Sequence, residues 1–427
     1  MTYFSASVLA SLLIGITPTA IAATPTLMDC YHAAIQQSES IGSMTEWVIQ
    51  AKEQDHQANT TMGPTLSGTA SLFTQAAAGS GEVGSSISPA TTPLVKVTIA
   101  QPLYRGNRES AAAKQAQLTV ETQEFLKLQE LSNLYSEVAQ NFYTIQKIEA
   151  EIDDIATTIG LYRQRQIELN RRAKIGQTRA NEVLAVDAAI AALGATQIQL
   201  QSDLASARST FHFLTGFDPG TQIGHAFNQA KALLPTPNPL DTYLARISIR
   251  PDIRAAQKFK DAAAQYVQIA KGTTLPSLDL SGNYYFVRNG VNQNVNWDVI
   301  VSGTTSFYNG DSLASKIKEA ESNERDYSLR LQKAQRLAES EIRTLHSRLL
   351  LRIAQYRALD HARRISEKNY KIQLRDSQLG LVSNLDVMDS LAVFHKNTQA
   401  VDDTYFAVLM DYENLNIAAA LVPPTEK

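Results

Sequence analysis

The chain has 427 residues, 44% apolar and 19% charged, with a formal charge of −3, which gives no reason to expect nucleic acid, a partner that calls for a basic face. Its one cysteine excludes an internal disulfide framework. The length would hold two or three ordinary domains, but internal repetition narrows this to two intertwined copies of one unit.

Residues 1–22 read as a secretory signal. Val8 to Ile16 is a short apolar run, and Ala20-Ile21-Ala22 supplies small residues for cleavage, although no Lys or Arg precedes the run. That run is too short to span a bilayer as a helix, and the reading finds no other long apolar run. Export therefore ends in a soluble protein or in one that enters a membrane as a β-barrel. Cys30 follows the cleavage point by several residues, which favours a small buried side chain over lipid attachment.

Thr26 to about Ala58 has helical spacing, with Leu27, Tyr31, Ala34 and Ile35 on one face. The period then changes to two. Pro64 to Thr74 sets Leu66, Gly68, Ala70 and Leu72 against Thr65, Ser67, Thr69 and Ser71, and Val95 to Leu103 repeats the alternation. The connecting loop contains Gly79, Gly81 and Gly84 as GxGxxG. A dinucleotide fingerprint must follow a strand and open a helix, and this one lies in a low-complexity loop, so it predicts no nucleotide site.

A long helix is predicted from Asn107 to Lys174. Its apolar positions Leu131, Leu134, Val138, Phe142, Ile145, Ile148, Ile152, Ile155, Ile159 and Tyr162 recur at about 3.4 residues, close to a coiled-coil seam. Such a rod is about 100 Å long. Gly176 ends it, and Arg179 to Thr215 returns. The Gly- and Pro-rich stretch that follows is the hinge between copies.

The second copy repeats the order: a helix over Asp241–Lys271, strands over Leu275–Val287 and Trp297–Phe307 with a turn at Asn289-Gly290, a rod over Ser312–Leu379, and a return helix over Ser383–Leu421. Gly176 and Gly380 are 204 residues apart, as are Gly106 of LYRG and Gly310 of FYNG. The same offset lays Asp386 on Glu182. The domain reading is thus a first repeat over 23–218, a connecting segment over 219–240, a second repeat over 241–421 and a tail over 422–427.

Each copy supplies two strands of membrane length with one apolar and one polar face, and aromatic residues stand near their ends. Four strands cannot close a barrel, and lipid does not tolerate unclosed edges, so several subunits must share one. A soluble sheet with one solvated face would show the same alternation. The export signal, the paired strands and the rods leaving one edge twice favour the barrel.

This arrangement resembles the TolC family of outer-membrane efflux and secretion ducts, the outer membrane factors, over nearly the whole mature chain. The residues carrying the resemblance are ARSTFHFLTGFDP from Ala207, RPDIRAAQ from Arg250, LPSLDLSG, FYNGDSLASKIKEAE and GLVSNLDVMDS. It implies a mainly α protein whose coiled-coil helices form a periplasmic α-barrel, with four strands per subunit in a 12-stranded β-barrel. It further implies a homotrimer in the outer membrane extending into the periplasm, joined through a periplasmic adaptor to an inner-membrane ABC or proton-driven transporter. No cofactor or metal is implied.

By the same resemblance Asp386 and Asp389, three apart on one helical face, match aperture aspartates, with Glu182 in the corresponding place of the first copy. Stacked acidic rings attract cations and repel one another when a pore closes. Helix N-terminal acids favoured by the dipole would look the same. Where the family has a tyrosine and an arginine flanking the second glycine, this chain has Ser377 and Val382, which leaves Arg179 and Arg375 as candidate latch cations. Gly176, Gly380, Leu381 and Ser383 are the expected adaptor-contact tips, although both glycines also suit simple helix caps.

Catalysis has little support. His32, His56, His212, His225, His346, His361 and His395 are scattered without metal spacing, and there is no HExxH or GxSxG. A non-conducting envelope scaffold would account for the rods but not the strands. Whether the cargo is a small toxic molecule, a metal or a type I secreted protein is not written in the sequence.

Overall fold

The computed structural model describes residues 24–74, 91–224, 234–289 and 292–422. The predicted signal at 1–22, the loop glycines Gly79, Gly81 and Gly84, and Gly290 lie outside the described residues.

The chain opens with α1 (Leu27–Gln37) and α2 (Glu39–Thr60). A single helix was expected here. Ser38 takes an extended conformation and its hydroxyl accepts from the Ile41 N–H, so it starts a second helix. Strands β1 (Thr65–Thr74) and β2 (Thr91–Tyr104) follow, then the 67-residue α3 (Arg108–Lys174) and its return α4 (Ala180–Thr215).

The second half begins with α5 (Leu240–Leu244), a 3-10 turn at Ile247–Ile249 and α6 (Pro251–Gly272). The expected single helix over 241–271 is broken because Pro251 has no N–H to donate and starts a helix of its own at N1. Strands β3 (Ser277–Arg288) and β4 (Trp297–Thr304) lead into the 67-residue α7 (Ser312–Gln378) and the return α8 (Asn384–Ala418). β4 stops short of the expected Phe307, which is exposed.

The two halves share backbone detail as well as order. Gly106-Asn107 and Gly310-Asp311 are both successive left-handed residues at the strand-to-rod corner. At the first corner the backbone approach is close: a Cβ on Gly106 would meet the Gly272 carbonyl oxygen at 2.3 Å.

The strands form one antiparallel sheet in the order β1-β2-β3-β4, with β1 and β4 as its edges. Its register makes rows across all four strands, Leu66–Ile99–Gly282–Val299 and Gly68–Val97–Tyr284–Trp297 on one face, Ser67–Thr98–Asn283–Asp298 on the other. The first face leaves Leu66, Phe286, Trp297, Val299 and Val301 exposed. On the second, the Thr98 hydroxyl and Lys96 ammonium donate to Asn283 Oδ1 at 2.7 and 3.2 Å, and Asn283 Nδ2 donates to Asp298 at 2.7 Å. An apolar face turned outward and a hydrogen-bonded polar face are what a sheet needs between lipid and water.

Beside the sheet the helices lie side by side as α2-α3-α6-α7, and towards the far end as α4-α3-α8-α7. The RPDIR segment anchors the second hairpin. Arg250 forks onto both Asp252 oxygens and donates to the Ala418 carbonyl at 2.8 Å, while Arg246 donates to the carbonyls of Ala419 and Ala420. These carbonyls end α8 and would otherwise lack donors. Among the described residues one helix, Ala180–Thr215, is long and apolar enough to cross a membrane, which the sequence reading missed because polar residues interrupt its runs. In the fold α4 is the return arm of the first hairpin, and only Val186, Phe211 and Thr215 on it are buried.

Candidate functional site at the hairpin ends

Both rods end in the same motif. After α3 the Gly176 N–H donates to the Ala173 carbonyl and the Gln177 N–H to Arg172, while after α7 the Gly380 N–H donates to Ser377 and the Leu381 N–H to Asp376. Each is a Schellman closure around a left-handed glycine, with φ of 76° and 78°. Ile175, Leu379 and Leu381 are exposed there, and Gly176, Gly380 and Ser383 are exposed with them.

Ser383 caps α8. Its hydroxyl and N–H donate to Asp386 Oδ2 at 2.6 and 2.9 Å, and its oxygen accepts from the Asp386 N–H, a capping box. The Ser383 side chain, then its backbone N–H, hold the Asp386 carboxyl below the usual aspartate range. Asp389 is exposed one turn further on. Burial, with Tyr370 and Asp389 nearby, pushes the Tyr162 hydroxyl of α3 up. In the first hairpin the Thr178 hydroxyl donates to Glu182 at 2.9 Å. Within one chain the three acids therefore stand at two separate helix starts, Asp386 and Asp389 together and Glu182 on its own hairpin.

A charged contact that joins the two hairpins near their ends uses residues the sequence reading did not select. Arg165 of α3 is 5% exposed. It donates from Nη2 to the Ser377 hydroxyl of α7 at 2.6 Å, from Nε to Asn384 Oδ1 of α8 at 2.8 Å, and from Nη1 to Glu168 at 2.8 Å. Arg172 donates to the Ser377 carbonyl at 3.2 Å and to the other Glu168 oxygen at 2.6 Å. One planar fork thus holds three helices, and Glu168 is shared by two guanidinium groups. An apolar cluster of Tyr162, Leu169, Val186, Tyr370, Val387 and Leu391 packs around it. The available signal was an arginine in the seam between Tyr162 and Leu169. Arg179 and Arg375 are both exposed; Arg375 comes within 3.9 Å of Asp376, and it is Arg165 that reaches Ser377.

A small serine is thus served by a long arginine from the facing rod, in a fold of paired strands and long hairpins. Residues 245–401 match the family described as outer membrane efflux protein. The chain carries an outer membrane efflux protein domain. Its fold is that of the outer membrane factor channels. The outer membrane protein VceC of Vibrio cholerae superposes with a TM-score of 0.80 at 18% identity, over 92% of this chain and 95% of that one. The CmeC outer membrane channel of Campylobacter jejuni gives 0.79 at 14% identity over 92% and 85%. The MtrE channel of Neisseria gonorrhoeae, in its open state, gives 0.75 at 16% over 93% and 89%. A comparison with curated protein sequences finds no significant match. The matched segment is that of an outer membrane efflux protein, and the fold is one that outer membrane channels have.

Proposed function

We propose that three copies of this chain close into one duct that exports small toxic molecules or secreted protein, working with a periplasmic adaptor and an inner-membrane ABC or proton-driven transporter. The observation that carries this reading is the sheet: four strands, an exposed apolar face, and two edges, at β1 and β4, that pair with nothing among the described residues. Such edges cannot stand in lipid. Pairing β4 of one copy with β1 of the next removes every edge and makes a 12-stranded barrel.

The helices support the same closure. The end helices of the lower layer are α4 and α7, and both carry exposed apolar stripes at seven-residue steps, Leu184, Ala191, Ile198 and Ala205 on α4, and Leu351, Ile365, Ile372 and Leu379 on α7. Seams of this period are made for a partner helix. In this reading the repeats run over 23–218 and 241–421, behind a cleaved signal. Asp386, Asp389 and Glu182 ring the narrow end, Arg179 and Arg375 reach across to neighbouring copies, and Gly176, Gly380, Leu381 and Ser383 meet the adaptor. The Arg165–Ser377 bond keeps each pair of hairpins together while the aperture is shut.

Single-channel conductance of the detergent-extracted protein in a planar bilayer tests the duct, beside a variant with Asp386→Asn and Asp389→Asn. The parent gives small cation-selective openings and the variant larger, less selective ones. An unchanged variant removes the acidic ring from the reading, and a folded oligomer that never conducts favours an envelope scaffold instead.

A further inference from the structure

Two charged stripes stand on opposite edges of the upper helix layer. On α2, Ile41, Val48 and Ala51 are the buried positions. Glu39, Glu46 and Glu53, seven residues apart, lie half a turn away and are exposed. On α7, Leu331 and Ala338 pack with Ile253 of α6, and Ala320 with Val267 and Ala270. The far flank of that stretch exposes Lys318, Arg325 and Arg336.

Neighbouring charges are already matched within the chain, Lys52 with Glu124, Lys271 with Glu321, Arg330 with Asp326 and Arg343 with Glu339. Among the described residues, none of the six stripe residues has an ion-pair partner in its own chain. Each stripe also carries one exposed apolar residue, Ile49 on α2 and Leu329 on α7.

We propose that α2 of one copy docks on α7 of the next through Glu53 with Lys318 and Glu46 with Arg325; this rests on the trimeric reading above. The second copy is the occupant because the signs are opposite and the seven-residue spacing of Glu46 and Glu53 equals that of Lys318 and Arg325. α2 climbs towards the sheet and α7 leaves it, so the acids and the cations are met in this order going down from the barrel. Seven residues of helix are about 10.5 Å, so Glu53 to Glu46 and Lys318 to Arg325 cover equal rises. Exposed pairs add little affinity singly, and their effect is on encounter and register. A one-turn slip would part both pairs, so this upper seam fixes the height at which β4 meets β1, while the apolar lower seam supplies most of the holding strength.

The test uses the full mature chain in detergent, with mass measured by light scattering across a dilution series. Glu46→Arg with Glu53→Arg, and separately Lys318→Glu with Arg325→Glu, each shift trimer dissociation to about tenfold higher protein concentration, and the four changes together restore the parent midpoint. A Glu46→Cys, Arg325→Cys chain in a Cys30→Ser background gives, on oxidation, covalent species up to trimer. If the reversals leave the trimer unchanged and no crosslink forms, the stripes are solvated faces or serve another protein; the docking proposal falls and the trimer stands. If the parent is monomeric at every concentration, both fall.

Discussion

Arg165 reaches across the two hairpins to give its Nη2 proton to the Ser377 hydroxyl at 2.6 Å, from a position 5% exposed. Removing the guanidinium takes a donor from Asn384 and Ser377 in a buried site and leaves Glu168 with Arg172 alone. Arg165→Ala should therefore lower stability by about 3 kcal/mol, while Ser377→Ala, which loses one bond, should cost about 1 kcal/mol. Thermal melts separate the two, and limited trypsin digestion should cut first near Lys174 in the arginine variant. Equal melts would mean that the fork holds nothing.

The capping box gives the hairpin end a defined acid limit. Ser383 depresses the Asp386 carboxyl, so the favourable contribution is present above the ordinary aspartate value of about 3.9 and is lost as pH falls through the lowered value. Any cation preference carried by Asp386 should persist at pH 4.5 and fade only at lower pH. Ser383→Ala should move that fading upward. Reversal potentials in a salt gradient at three pH values check this; a preference already gone at pH 4.5 would assign it elsewhere.

Midway along the rods Lys147 of α3 lies 2.9 Å from Asp403 of α8 and 3.4 Å from Glu151. Burial, aided by a hydrogen bond with Asp403, pushes the Glu151 carboxyl up to about 7. The folded chain thus keeps a proton that the unfolded chain releases near the ordinary value of about 4.3, so stability falls as pH rises between these limits. The melting temperature should drop from pH 5 to pH 8, and Glu151→Gln should flatten that slope. A slope unchanged in the variant would place the titration on another group.

Two glycines with similar φ should respond differently to alanine. A Cβ on Gly380 meets nothing within 4 Å, so Gly380→Ala costs only the left-handed strain, about 1 kcal/mol. At Gly106 the Gly272 carbonyl blocks the methyl group, and Gly106→Ala should cost roughly 3 kcal/mol or more. Melting curves of the two variants rank them, and comparable losses would show that the corner gives way.

The parts of the fold that depend on local period were readable in the sequence. The strand alternation fixed four strands to within a few residues, and the 204-residue offset reappears in the left-handed pairs Gly106-Asn107 and Gly310-Asp311. Breaks set by one residue were harder, since Ser38 and Pro251 interrupt helical periods that continue across them. The inter-hairpin fork was not readable at all. Ser377 and Asn384 lie more than 200 residues from Arg165, and nothing in either segment names its partner until the three helices are laid together.

The exposed apolar flank of α4 has a consequence for how the protein is made. In the duct proposed above, a copy not yet assembled carries this helix and two unpaired sheet edges through an aqueous compartment, where each is a site for wrong association. Productive encounter then competes with clumping, and because the proposed assembly needs three copies its rate falls steeply with subunit supply. Weak expression should therefore lower the yield of mature ducts more than in proportion, and holdase chaperones of the envelope should matter most when copies are scarce.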